Sequence, residues 1–389
     1  MWPGDVARLT SAARGLGAAQ DENGTNLISN GMSFFRPSKQ LTVVVVEDII
    51  TRRLPFCKAL RVLDLSSAEL TPNIILTLGR LAAEEGNFFQ TVRSLNLFDN
   101  KLRSEGCLAL AQALERGGFR SGLQGLYVRA NQIGGDDYGG GGGEGEDHIA
   151  VLCEVLKCGA CSAPLTSLSL AQNDLGTIAA LHIGGALGSI SLKRLLKLDL
   201  HLNQLGDCGA TSVAEGLAAG GGMPCLDEFY LGFNGIGDTG ARAVADCLAH
   251  MPMLRELDLA CNAIGNEGAL ALAERLSVEG GKMRTARAAA VSTMSTTAML
   301  QLETLDLRGN RIGDDGACAF RDFLATETTD GGLGGEEGNG GQMGEVEGGC
   351  PNLANIFLDD NRAIRARGRE ALQALQIIRG IVCIEGPNC

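Results

Sequence analysis

Four histidines, thirteen cysteines and a run of five glycines are the residues of this 389-residue chain whose chemistry is worth testing first. His201 stands two residues after Asp199, so on an extended segment both side chains share one side. There the carboxylate would orient the imidazole for proton transfer. An ordinary exposed ion pair is the expectation. None of His148, His182, His201 and His250 falls in H-E-x-x-H, and none has a serine or cysteine in a known nucleophile context. Cys158-Gly-Ala-Cys161, with Cys153 nearby, has the spacing of a redox or metal pair. A second pair and a thioredoxin-like surrounding are both missing, so thiols at a helix end and loop are expected. The glycine run YGGGGGEGEDH, from Tyr138, lacks the G-K-[ST] of a phosphate cradle. The sequence therefore predicts no catalytic residue, no cofactor and no metal.

What positions these residues is a repeated phrase. From Leu195 the chain reads LLKLDLHLNQLG, from Leu254 LRELDLACNAIG, and from Leu302 LETLDLRGNRIG. The asparagine of the phrase recurs at Asn100, Asn131, Asn173, Asn203, Asn234, Asn262, Asn310 and Asn361, with Ala68 in the equivalent place of a first copy, LRVLDLSSAEL. Successive positions differ by 32, 31, 42, 30, 31, 28, 48 and 51. Alternation in L-x-L puts Leu257 and Leu259, or Leu305 and Leu307, on one buried face of a short strand. The asparagine amide follows at the turn. It can donate to and accept from backbone groups of stacked coils that would otherwise be buried unpaired. A second phrase follows each turn: IGDTGARAVADCLAH from Ile236, IGNEGALALAERL from Ile264 and IGDDGACAFRDFL from Ile312. Its apolar residues recur every three to four positions, as on a helix, and Asp or Asn before the run reads as the helix start.

This pattern, L-x-x-L-x-L-x-x-N-x-L, is that of the leucine-rich repeat. With its long, helix-containing units it resembles the ribonuclease-inhibitor-like class, to which the repeat domains of NOD-like receptors and the Ran GTPase-activating protein belong. The resemblance covers roughly Leu60 to Leu375. It implies an α/β solenoid of horseshoe form with about nine repeats plus caps, parallel strands on the concave side and α-helices on the convex side. The expected organisation is a disordered tail over 1–40, then one repeat domain over 41–389. LTVVVVEDIITRRL from Leu41 would cap one end as strand and helix, and GREALQALQIIRGIVCIE from Gly368 the other as helix and strand. Flexible insertions are expected near 135–147, 279–300 and 327–350. The last carries Glu327, Asp330, Glu336, Glu337, Glu345 and Glu347 without Lys or Arg.

Such repeats are mostly binding scaffolds, so the functional residues are sought on the strand face. The outward positions there include Phe98, Tyr127, Arg129, His201, Glu228, Tyr230, Glu256, Asp258, Asp306, Arg308, Phe357 and Asp359. Aromatics and arginine are typical interface anchors. The acids gathered around Arg308 call for a protein partner with a basic surface. The net charge of −13 excludes nonspecific binding of nucleic acid, and no apolar run reaches the length of a membrane span. Scattered cysteines, odd in number, suit a reducing, cytoplasmic setting. The expected function is a non-catalytic protein-interaction scaffold. The resemblance to the Ran activator implies a small GTPase as an alternative partner, and that to ribonuclease inhibitor an enzyme as an inhibited one.

Overall fold

A computed structural model of the chain describes residues 34–35, 59–83, 91–115, 122–134, 148–158, 165–277, 300–324, 352–379 and 381–384. The cap from Leu41, Cys161 and nearly all of the tail and of the three insertions lie outside the described residues. The chain divides into two compact units, 1–204 and 205–389.

Unit 1 holds strands β1 (Phe34–Phe35), β2 (Val62–Asp64), β3 (Ser94–Asn96), β4 (Gly125–Tyr127), β5 (Ser167–Ser169) and β6 (Lys197–Asp199). Helices α1 (Pro72–Ala83), α2 (Arg103–Glu115), α3 (His148–Lys157) and α4 (Gly176–Leu187) alternate with them. Consecutive strands pair in parallel and without slippage, so that Leu63, Leu95, Leu126, Leu168 and Leu198 form one row. Unit 2 repeats the scheme with β7 (Glu228–Tyr230), β8 (Glu256–Asp258), β9 (Thr304–Asp306), β10 (Asn355–Phe357) and β11 (Val382–Ile384). Its helices are α5 (Gly206–Ala218), α6 (Asp238–Cys247), α7 (Asn266–Leu276), α8 (Asp314–Leu324) and α9 (Ala366–Arg379). Here the row is Phe229, Leu257, Leu305 and Ile356. The closing helix and strand expected from Gly368 onward are α9 and β11.

The core of each unit lies between strands and helices. Leu257, Leu259, Leu305 and Leu307 are fully buried, as are Phe229 and Phe320. Each such side chain contributes about 1.5–3 kcal/mol relative to exposure. The helices bury mostly small residues: Gly240, Ala241, Val244 and Ala245 in α6, and Gly268, Ala269, Leu272 and Ala273 in α7.

Strands β3 to β10 are three residues long because the asparagine turn stops them. Ser67, Asp99, Ala130, Gln172, Leu202, Phe233, Cys261 and Asp360, each just before the asparagine position, have positive φ. That conformation costs a residue with a side chain about 1 kcal/mol or more. Asparagine bonds offset it. Asn173 Nδ2 donates to Leu170 O at 2.9 Å in its own coil and to Val128 O at 3.0 Å in the preceding one, while its Oδ1 accepts from Asn131 N at 2.8 Å. In unit 2, Asn262 Oδ1 accepts from Asn234 N at 2.9 Å and Ile236 N at 3.0 Å.

The helix starts differ from the sequence expectation. Asp238 and Asn266 do not cap their own helices; the caps of α6 and α7 are Gly237 and Gly265, without a side-chain bond. Each polar side chain serves the next helix instead. Asp207 Oδ1 accepts from Gly237 N (2.7 Å) and Gly240 N (2.8 Å). Asp238 Oδ1 accepts from Gly265 N and Gly268 N, both at 2.7 Å. Asn266 Oδ1 takes Gly313 N and Gly316 N, and Asp314 Oδ1 takes Arg365 N and Gly368 N. In each of α6 to α9 two orphan amides are satisfied from the preceding coil, and in α6, α7 and α9 the acceptor is a carboxylate at the positive end of the helix dipole. Close approach explains the invariable second glycine of I-G-[DN]-x-G. A Cβ on Gly268 would lie 2.7 Å from Ile264 Cγ2 and 2.8 Å from Asp238 Oδ1.

Candidate protein-binding face

In unit 1 the strand side carries two groups. Arg129 lies over the Phe98 ring at 5.9 Å and donates to Gln172 Oε1 at 3.5 Å. Its Nε is buried without a hydrogen-bond acceptor among the described residues. The Tyr127 ring folds back along its own strand over Gly125, where a Cβ would come within 2.8 Å of it. Phe98 is exposed, and Tyr127 and Arg129 are half-buried.

The second group corrects the expectation of an exposed pair. Asp199 and His201 are drawn together, Oδ1 to Nδ1 at 2.6 Å, but their side chains are only 5% and 13% exposed. Ser169 Oγ donates to the other carboxylate oxygen at 2.8 Å. Burial pushes the Asp199 carboxyl up, but the hydrogen bond and charge of His201 and the bond from Ser169 outweigh it, so its pKa is held below the ordinary value. The carboxylate sits between hydroxyl and imidazole. In a nucleophilic triad the imidazole is the central member, so this order positions side chains rather than activating the serine.

In unit 2 the strand side is acidic and more tightly organised. Tyr230 is buried, 3% exposed, rather than an exposed anchor. Its hydroxyl lies 2.8 Å from Glu228 Oε2 and 3.0 Å from Glu256 Oε2. One phenolic hydrogen thus serves two carboxylates, and burial together with both glutamates pushes the phenol far above its ordinary range. Register explains the cluster: Glu228 pairs with Glu256 across β7 and β8, and Tyr230 is two residues along on the same side. On β9 and the coil after it, Asp306 and Arg308 form a forked ion pair, with Nε 2.9 Å from both carboxylate oxygens. Arg308 also lies 5.4 Å over the Phe357 ring, and its bond to Asp306 raises its pKa further.

The aspartates of the L-D-L phrase are less available than their outward placement suggests. Asp64, Asp199 and Asp306 are buried. Asp64, Asp258 and Asp306 each accept the amide two residues on through Oδ1, at 3.1, 2.8 and 3.1 Å. Each carboxylate therefore holds the strand exit of its own coil, which sequence spacing alone did not reveal. Asp359 is different. Its Oδ1 is buried with no donor among the described residues.

Among the described residues no group of three or more His, Cys, Asp or Glu is arranged to hold a metal ion, and no helix is long and apolar enough to cross a membrane. Cys158 is exposed.

Four stretches, 90–111, 222–245, 250–273 and 301–320, match the family model described as Leucine Rich repeat. The fold is that of a leucine-rich repeat solenoid. Proteins built from such repeats generally act as protein-interaction scaffolds. Among solved structures, the chain is similar to an internalin from Listeria monocytogenes, with 18% identity and a TM-score of 0.41 over 82% of this chain and 67% of that one. It is also similar to a chain of the yeast Rad7–Elc1 complex, with 12% identity and a TM-score of 0.41 over 92% of this chain and 76% of that one. No curated protein matches the chain.

Proposed function

We propose that the chain is a non-catalytic scaffold that holds a protein partner on its strand side, and that the strand side of unit 2 selects a partner with a basic surface. One observation carries this reading: on this acidic side Asp359 Oδ1 is buried without a donor among the described residues. A buried acceptor without a donor costs about 1–3 kcal/mol, and a lysine or arginine of a partner removes that cost. In unit 1, Phe98 and Arg129 offer the aromatic and guanidinium surfaces that interfaces favour.

We read the repeats as the ribonuclease-inhibitor-like kind, on the 28- to 32-residue spacing of the units without insertions and the α-helix in each. Eight cysteines, Cys107, Cys153, Cys158, Cys208, Cys225, Cys247, Cys261 and Cys318, are free thiols, which supports a reducing, cytoplasmic setting. No residue of the strand side singles out a small GTPase as the partner, so GTP hydrolysis by such an enzyme is expected to be unchanged by this protein.

The test is quantitative capture from an extract with wild type, Glu228→Lys/Glu256→Lys, and Glu215→Lys/Glu274→Lys. The last pair makes the same change in charge on exposed helix positions of unit 2. A partner lost only with the first variant supports the reading. A partner lost equally with both, or with neither, refutes it.

A further inference from the structure

We propose that the turn edge of the last repeats of unit 2 is a second interaction surface, one that takes an acidic protein segment through a cluster of arginines. Arg311 and Arg362 each directly follow a ladder asparagine, Asn310 and Asn361, and so occupy the same place in successive coils. Both line one cleft, together with Cys261 and Asp360. Arg365 follows at the start of α9, and Arg311, Arg362 and Arg365 are all exposed.

The environment shows what the cluster lacks. Arg367, next along the chain, has a counterion in Asp315 at 3.0 Å, both largely exposed. The guanidinium groups of Arg311, Arg362 and Arg365 have no hydrogen-bonded or ion-paired partner among the described residues. Asp360 offsets one of these three charges. Asp314 is close by, but its Oδ1 is occupied by the amides of Arg365 and Gly368. The start of α9 is therefore already capped, and recognition falls to the side chains. Guanidinium forks bind carboxylates in pairs of parallel hydrogen bonds, and two forks stacked one coil apart suit successive acids of an extended segment. A nucleic acid has the right charge as well, but the −13 net charge of this chain repels a long polyanion that extends beyond the cluster. A short acidic stretch of protein can be confined to the arginine cluster, where three guanidinium charges outnumber Asp360.

The experiment uses the full chain and a fluorescently labelled peptide of alternating glutamate and aspartate, read by anisotropy. Wild type should bind it saturably, and more weakly as salt rises. Arg311→Glu/Arg362→Glu should weaken binding about tenfold or more. Arg242→Glu/Arg255→Glu makes the same change in charge at exposed arginines elsewhere in unit 2 and should change it by about twofold or less, the effect of distant screened charges. Arg311→Gln/Arg362→Gln, which removes charge without reversing it, serves if the first variant does not fold. Absence of saturable binding to wild type, equal loss with both charge-reversal pairs, or tighter binding of a single-stranded oligonucleotide of equal charge would overturn the proposal. The strand-side variant Glu228→Lys/Glu256→Lys should keep the peptide, which separates this surface from the one proposed above.

Discussion

Replacing Asn262 by leucine tests how the coils of unit 2 are held together. The asparagine makes four bonds of good length: Oδ1 accepts from Asn234 N and Ile236 N, and Nδ2 donates to Leu231 O (3.1 Å) and Leu259 O (2.9 Å). The two carbonyls keep a donor in the variant, because Asn234 Nδ2 also reaches Leu231 O and Asn310 Nδ2 also reaches Leu259 O, each at 2.9 Å. The two amides lose the acceptor that Asn262 Oδ1 supplies, at about 1–3 kcal/mol each. The leucine is of similar size and returns roughly 1 kcal/mol of apolar burial. A net loss of about 3 kcal/mol follows. Denaturant unfolding measures it if the transition stays cooperative, and native-state hydrogen exchange measures it at the residues concerned. Exchange should accelerate at Asn234 and Ile236. A loss below about 0.5 kcal/mol, or unchanged exchange at both amides, would refute the ladder argument.

Further predictions concern the helix starts and the two buried titratable clusters. Asp238→Ala should fray the start of α7, with faster exchange at Gly265 and Gly268 and a stability loss of about 1 kcal/mol; unchanged exchange would show that water caps the helix equally well. Gly268→Ala should cost about 1–3 kcal/mol by forcing Ile264 and Asp238 aside, whereas a neutral effect would mean the coils shift freely. The pKa of Asp199 is lower folded than unfolded, so its contribution is present above the ordinary carboxylate pKa and is lost as pH falls through the folded value. Asp199→Asn should therefore flatten the acid limb of the stability curve, and an unchanged limb would contradict the His201 and Ser169 bonds. The Tyr230 phenol is raised, so ultraviolet titrations of wild type and Tyr230→Phe should coincide through about pH 10, where free tyrosine ionises, and part only on unfolding. A one-tyrosine difference in that range would show that the hydroxyl is not held between the two glutamates.

The fold was legible because the repeat carries two periods at once. Leu257 and Leu259 mark a strand, the apolar spacing from Ala241 to Leu248 marks a helix, and the asparagine between them sets the turn. Interactions between coils were harder to read, since they join residues about 30 positions apart whose contact depends on stacking. Asp238 looked like the cap of its own helix because local sequence says only that a polar side chain stands near a helix start. Which coil it faces is settled by Gly268, whose missing Cβ leaves room for it. Tyr230 was identified as a face residue, yet its burial follows from the two glutamates that close over its hydroxyl, and one of them belongs to the neighbouring coil. The arginines from Arg362 to Arg369 give no strand-side signal, because none is on the strand side. Their signal was compositional: R-A-I-R-A-R-G-R in a chain of strongly negative charge.

The most direct test of the strand-side account is carboxylate footprinting of the protein alone and with its captured partner. Carbodiimide labelling is read by mass spectrometry at Glu228, Glu256 and Asp359, with Glu215, Glu267 and Glu274 on exposed helix positions as the reference. The account predicts that the partner protects the first set and leaves the second unchanged. Protection confined to the helix carboxylates would contradict it.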